Sequence, residues 1–493
     1  MMWTATLLLA AASVLPADSA MWQMATPAFS NPAVKQWMLP QSHSSIGPEY
    51  EKEHLNRPVD ITRGTGSDQW KINAETYLKY KTSTLWGDAS YSNGHQRELK
   101  WNETSDAALL YPYLTADSVG GDMNLERYRF AGGYADHSDK WAWGGTISYD
   151  AGLYYRSVDP RPRNVTGLLD VSAGVAHHAW AQYYAGIALG YQKYKQSNDI
   201  DFKSQLGVEK IYHLGGLGNH YHRFAGTGTA SHYSGNRFSV MANLYPSSGR
   251  GLALTAKFER FTFNKVLTDL NKLPLNHVWH NEMNLQAAFM HPGKVHSWGA
   301  EASFRAYRRH GQENIFGDAT SNVYPQIASL DMYADNLWNP SVSGLWQYQP
   351  AGPGTLLWIR GNVGYRHRAE VYAQPRRRLE TNHATAGIET RFTMPFKNVW
   401  RFSIGASAGI NKPVDCKLNL AESSTQEPQG IVMLEQYRYH FLSHTSRNYG
   451  AQAGLQRSIT SKVGLALRLI WQQTSYCSHT CSNNLSASLS VIF

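Results

Sequence analysis

The chain ends on Leu485, Ala487, Leu489, Val491 and Phe493, apolar at every second position, with Ser486, Ser488 and Ser490 between them. Side chains of a strand alternate faces, so one face of such a segment can meet lipid while the other meets a polar interior. Within a bilayer every backbone N–H and C=O needs an internal partner, and only helices and closed barrels supply one. After the first 20 residues no run of about 20 apolar residues occurs, which excludes a helical membrane protein. An amphipathic strand of a soluble sandwich would show the same local pattern. Repetition along the chain decides between the two.

The two-residue period recurs throughout. Trp70, Ile72, Ala74, Thr76, Leu78 and Tyr80 alternate with Lys71, Asn73, Glu75, Tyr77 and Lys79. Residues 141–155 carry Trp141, Trp143, Ile147, Tyr149 and Leu153 in one phase, a run longer than soluble strands usually reach. Trp298, Ala300, Ala302, Phe304 and Ala306 oppose Glu301, Ser303, Arg305 and Tyr307, and Leu465, Leu467, Leu469 and Trp471 oppose Arg468. An Arg or Lys facing lipid at midplane costs about 2–4 kcal/mol, so the charged phase must point inward. Transmembrane barrels are polar on average. The negative mean hydropathy and the 29 Tyr and 16 Trp, which suit membrane–water boundaries, agree with that class.

Connections sort into two lengths. Short turns are expected at 81–83, 136–140, 177–179, 246–250, 291–294, 350–354, 395–398 and 460–462, each rich in turn formers. Long connections interleave at about 54–69, 93–123, 156–165, 195–235, 264–280, 309–340, 373–380, 411–446 and 474–482. Nine long and eight short connections join eighteen strands, an even number, with the short turns periplasmic and the long loops extracellular. The expectation is an all-β transmembrane antiparallel barrel of about 18 strands over residues 42–493; 14 or 16 strands stay open because the first strand, near 42–53, is the weakest. Residues 1–20 resemble a secretory signal peptide, apolar from Trp3 to Val14 with small residues at Ser19 and Ala20, although the leading Met-Met-Trp lacks a basic residue. Residues 21–41 are then a periplasmic or lumen-inserted segment.

Three loops carry most of what is specific. Residues 97–121, with Trp101, Tyr111, Pro112 and Tyr113, are expected as a folded surface loop. Residues 195–235 hold Gly215-Gly216-Leu217-Gly218-Asn219-His220-Tyr221-His222, expected as a tight surface turn because no strand-then-helix context supports a phosphate cradle. Residues 309–340 form a third loop, and loops of that length commonly function or fold inward. Cys477-Ser-His-Thr-Cys481 sits in the last loop. Export favours a local Cys477–Cys481 disulfide, with free thiols as the alternative; a metal bound by two thiolates and one imidazole lacks a ligand, so none is expected. His177-His178, His220 and His222 are expected as solvated turn residues. Arg376, Arg377 and Arg378 are expected as a surface basic patch facing phosphorylated glycolipid.

Several stretches together resemble a Bacteroidota-type outer-membrane β-barrel family of unknown function: Leu109-Leu110-Tyr111-Pro112-Tyr113, 117–123, 158–164, 194–199, 270–276 and 314–318. The resemblance implies barrel fold and outer-membrane location, and it brings no substrate or catalytic residue. Asn31-Pro32-Ala33-Val34 is similar to the opening of long-chain fatty-acid transporter barrels, which keeps a hydrophobic-substrate transporter as a minor reading.

Inward Lys71, Glu75, Lys79, Arg127, Arg129, Glu301, Arg305 and Arg468 would line a wet lumen whose cations favour anions. The leading expectation is a passive channel or uptake component for a small, anionic solute, with a lumen either open or plugged. The alternative is a surface scaffold or adhesion protein binding a partner through its long loops. No enzyme is expected, because among so many Ser and His residues some pair would meet by chance. The expected partners are outer-membrane lipid, lipopolysaccharide and the barrel-assembly machinery, read from the strand ending at Phe493. The charge of +9 is accounted for by lumen and loops rather than by nucleic acid, and no cofactor is implied.

Overall fold

A computed structural model describes residues 20–39, 41–180, 182–204, 210–226, 228–321, 323–350, 354–397, 399–420, 428–460 and 463–493. The expected leader lies outside the described residues except for Ala20, as do residues within the turns at 350–354, 395–398 and 460–462.

Eighteen antiparallel strands follow one another in chain order, and the sheet closes where the first, His43–Leu55, pairs with the last, Cys481–Ile492. The seam runs from Ser45 opposite Ile492 to Leu55 opposite Ser482. It is extended by Phe493 N–H donating to the Ser44 carbonyl at 2.9 Å. At Gly47 the wall comes so close that a Cβ would lie 1.8 Å from the Leu489 carbonyl oxygen. Pro48 beside it donates no ladder bond.

The alternation read from the sequence is the alternation of exposure. Trp70, Ile72, Phe130, Trp143, Ile147, Leu189 and Leu469 are all exposed, while the neighbours between them turn inward. A closed barrel with a belt of exposed aliphatic and aromatic side chains is built to stand in hydrocarbon. The chain is therefore an outer-membrane barrel, with its eight short turns at the periplasmic end. Strands run from 12 residues (Gly464–Ser475) to 23 (Gln326–Tyr348), and a crossing uses about 9–11. The surplus extends beyond the bilayer on the side of the long connections.

That surplus shortens the loops expected from sequence. The 309–340 connection is mostly strand: His296–Phe316 and Gln326–Tyr348 pair up to Phe316 opposite Gln326, leaving only 317–325 between them. His177 and His178 sit in the strand Arg161–Trp180 rather than in a turn. Their rings lie against Trp141 at 4.4 Å and Tyr184 at 4.9 Å.

Candidate functional site

The interior is filled from both ends. At the periplasmic end residues 20–37 form three short helical turns inside the wall: Ala20–Ala25, Thr26–Ser30 and Pro32–Trp37. Met24, Ala28, Ala33 and Val34 are almost wholly buried against Ala142, Ala176, Ala288, Met290 and Trp358. Small wall residues make the room. A Cβ at Gly174 would meet Asn31 Oδ1 at 1.9 Å, one at Gly186 Asn31 Nδ2 at 2.7 Å, and one at Gly144 the Pro32 carbonyl oxygen at 2.7 Å.

Asn31 is the pin of this plug. Its side chain caps the next turn by accepting from Ala33 N–H (3.0 Å), while its Nδ2 donates to Asn243 Oδ1 on the wall (2.9 Å). Tyr77 donates to the Lys35 and Gln36 carbonyls at 3.0 and 2.9 Å, and Trp37 stacks on Tyr184 at 4.1 Å. The Lys35 ammonium lies 4.8 Å from the Trp86 ring, and burial pulls its pKa down to about 8, against a partial rescue by Asp88.

At the other end two long connections and one helix fold into the mouth. Residues 101–117 do not form the expected surface loop: Leu110, Tyr113, Leu114 and Ala116 are buried among Tyr194, Tyr233, Phe261, Phe263 and Val278. This inward fold is held by polar bonds to the wall. Lys265 Nζ donates to the Leu114 carbonyl at 3.0 Å, and Arg309 to the Tyr111 carbonyl at 2.6 Å. Asn164 and Asn198 donate to the Glu103 carbonyl at 2.9 and 2.8 Å. Arg156 forms a fully buried ion pair with Glu103 at 2.8 Å and lies 3.7 Å from Asp117. Burial and the adjacent Asp117 hold the Glu103 carboxyl well above the usual carboxylate range.

The glycine-rich segment also folds inward, against the surface turn expected of it. Gly215, Gly216, Leu217, Gly218 and Asn219 are buried, with Gly216 and Gly218 at positive φ. His220 is 6% exposed rather than solvated, and burial lowers its pKa to about 4, helped by His222 and Arg377. Arg377 is the second correction. Strand alternation turns it into the barrel, where Nη1 donates to the Leu217 carbonyl at 3.0 Å, while Arg376 and Arg378 stay exposed. Above them the helix Gln429–Leu442 projects Arg438 onto Glu370, which also accepts from Tyr111 and Tyr333, each at 3.1 Å. Arg438 also lies 3.2 Å from Glu435.

Between the two fillings lies a polar waist containing the charges singled out from sequence. Most of them are matched. Arg127 binds Asp150 through two bonds of 2.6 Å, and Arg129 binds Asp88 at 3.1 Å. Arg305 binds Glu282 at 2.6 and 2.8 Å, and Glu301 binds Arg360 at 2.9 Å. Arg468 donates to Gln452 at 3.1 Å, Glu75 accepts from Ser45 at 3.0 Å, and Lys79 donates to the Leu39 carbonyl of the plug at 2.9 Å. Lys71 faces inward opposite Glu49 in register. A cavity of about 60 Å³ opens beside Arg127, lined by Asp106, Leu109, Asp150, Tyr154, Thr166, Leu168 and Tyr194.

Sequence reasoning missed Asn31–Asn243, Arg156–Glu103–Asp117 and the Arg438–Glu370 contact. Each joins residues far apart in the chain. The available signal was the set of small residues Gly144, Gly174, Ala176 and Gly186 in successive strands, which only a strand register brings together.

Cys477 and Cys481 are free thiols in this structure, not the pair expected, and so is Cys416. Cys477 Sγ turns toward His440 Nε2 at 3.2 Å, while Cys481 Sγ accepts from Asn483 at 3.8 Å.

Among solved structures the chain is similar to the ferric enterobactin receptor PfeA of Pseudomonas aeruginosa (8% identity, 92% of this chain and 80% of that chain, TM-score 0.39). It is also similar to the siderophore receptor PiuA of Acinetobacter baumannii (8%, 91% and 81%, TM-score 0.41) and to the monoaromatic hydrocarbon channel TodX (8%, 94% and 93%, TM-score 0.33). Likeness this distant carries no argument about substrate. No protein of curated function matches the chain in sequence. The model of a family of unknown function, DUF6850, matches residues 32–493, and the chain belongs to that family.

Proposed function

We propose that this barrel is a gated outer-membrane uptake component for a small polar solute, closed at rest by two gates in series. The observation that carries the reading is the polar waist enclosed between the Asn31 plug and the inward 101–117 loop. The charged Asp106, Arg127 and Asp150 in the cavity lining support a polar solute over a hydrophobic one. An anion preference would be weaker than the sequence suggested. Asp150, Asp88 and Glu282 offset Arg127, Arg129 and Arg305, so what preference remains draws on Lys71, which faces Glu49 across the register, and on Lys79.

The test is solute uptake into proteoliposomes with the mature protein. Gated entry predicts slow uptake by the wild type and faster uptake when residues 102–116 are shortened together with loss of the Asn31 pin. Lys71→Gln with Lys79→Gln should then lower the preference for anionic over neutral solutes. Uptake indistinguishable from empty liposomes in the shortened, unpinned and folded barrel would reject the reading.

The partner-binding alternative draws support from one place. The hairpin tip at 323–331 carries exposed Val323, Ile327 and Leu330. The 101–117 loop, being buried, offers such a partner little surface. Deleting the 323–331 tip should abolish partner capture from outer-membrane extracts if that alternative holds.

A further inference from the structure

Outside the lumen, two connections distant in sequence bring three metal-ligating side chains together. His440 stands in the last turn of the helix Gln429–Leu442, and His444 follows it by four residues, so the rings lie side by side with centroids 4.8 Å apart. The final loop turns tightly, Tyr476 N–H donating to the Thr480 carbonyl and Thr480 N–H to the Cys477 carbonyl. That turn presents Cys477 Sγ at 3.2 Å from His440 Nε2. One ligand atom from each of the three residues lies within 4.8 Å of the others. Ligands at about 2.0–2.3 Å around a tetrahedral ion stand roughly 3.3–3.8 Å apart, so side-chain rotation of about 1 Å completes the geometry.

Protonation is prearranged at one of the ligands. His444 Nδ1 lies 2.7 Å from the His440 carbonyl oxygen, which can only accept. Nδ1 therefore carries the proton and Nε2 keeps its lone pair, the state in which imidazole binds a metal while its other nitrogen is fixed by a carbonyl.

We propose that His440, His444 and Cys477 form a site for a borderline-soft divalent transition metal, with zinc the best chemical match to two imidazoles and one thiolate. On binding, the Cys477 thiol loses its proton to solvent, both histidines stay neutral, and the fourth position remains open to water. The ion would staple the helix to the last loop. Because the same helix places Arg438 on Glu370 in the mouth, metal binding steadies the extracellular filling from outside. A Cys477–Cys481 disulfide would remove the thiolate, so metal binding and oxidation exclude each other.

The experiment uses the reduced mature barrel in detergent, titrated with Co²⁺ and then Zn²⁺. One Co²⁺ per chain with a near-ultraviolet thiolate-to-cobalt band, displaced by Zn²⁺, is expected. Cys477→Ser should abolish the band, and His444→Ala should weaken binding by more than about 100-fold, beyond the usual effect of an outer contact. Cys416→Ser and Cys481→Ser should keep both. Zn²⁺ should slow amide exchange over 429–442 in the wild type and not in Cys477→Ser. Folding of every variant is checked by heat-dependent gel mobility. A band that survives Cys477→Ser, one lost instead with Cys481→Ser, or no metal bound by the folded reduced protein overturns the proposal. So does native protein in which Cys477 is wholly disulfide-bonded to Cys481.

Discussion

Replacing Gly174 by Ala isolates the periplasmic gate from the barrel that holds it. Gly174 lies in a strand at ordinary extended backbone, so the wall accepts a methyl group and gains up to about 1 kcal/mol in backbone entropy. Its nearest wall contact, Ala188 Cβ at 3.2 Å, needs to yield only slightly, whereas Asn31 Oδ1 at 1.9 Å must leave. Leaving breaks the bonds to Ala33 and Asn243, each contributing about 0.5–1.5 kcal/mol, and strands the buried Asn243 amide at about 1–3 kcal/mol. The sum, about 2–6 kcal/mol, lowers the docked population of residues 20–39 by roughly 30- to 25,000-fold. Amide exchange over Ala28–Trp37 reads this directly, with heat-dependent gel mobility reporting the barrel. Gly145→Ala is the control, since its Cβ would meet only the Ser172 carbonyl at 3.5 Å. Unchanged protection of Ala28–Trp37 in a folded Gly174→Ala barrel would refute the argument that wall glycines admit the plug.

Four further outcomes follow from the same geometry. Lys35 titrates near 8 when docked against its ordinary 10.5 when free, so the undocked state holds more protons between those values and docking strengthens as pH rises through that window, by at most about 3 kcal/mol; Lys35→Met should flatten the dependence, and amide exchange against pH reads it. Glu103 is shifted the opposite way for a carboxyl, upward, so loop docking is fully present at low pH and weakens as pH climbs through the raised value. Arg156→Ala removes the cation that faces the buried Glu103 and Asp117 carboxyl pair and should release residues 101–117 at a cost of about 3–5 kcal/mol, seen as protease cleavage within the loop. Gly47→Ala drives a Cβ into the Leu489 carbonyl at the seam, where backbone cannot yield cheaply, and should lower barrel stability by about 2–4 kcal/mol in a denaturant titration of gel mobility.

The wall was legible because lipid enforces a rule at every second residue: Trp70 and Ile72 out with Lys71 in, Leu467 and Leu469 out with Arg468 in. Turn chemistry added the topology, and parity identified even the weak first strand, which the structure places at His43–Leu55. The interior was harder, because what fills a barrel is chosen by positions that meet only after closure. Trp101, Tyr111 and Tyr113 read as surface aromatics until Phe261, Phe263 and Tyr194 surround them. Arg377 looked like one of three equal arginines, yet a period of two separates it from Arg376 and Arg378. The His440, His444 and Cys477 cluster escaped for a related reason: the Cys477–Cys481 segment showed only its own residues, and the imidazoles come from the end of a helix and the turn after it, more than thirty positions away.

The most direct test of closure by two gates is planar-bilayer recording of four proteins: wild type, Gly174→Ala, Arg156→Ala and the double variant. Gates in series predict no steady conductance from the first three and a steady conductance from the double variant alone. A wild-type barrel that conducts continuously, or a folded double variant as silent as the wild type, would contradict the account.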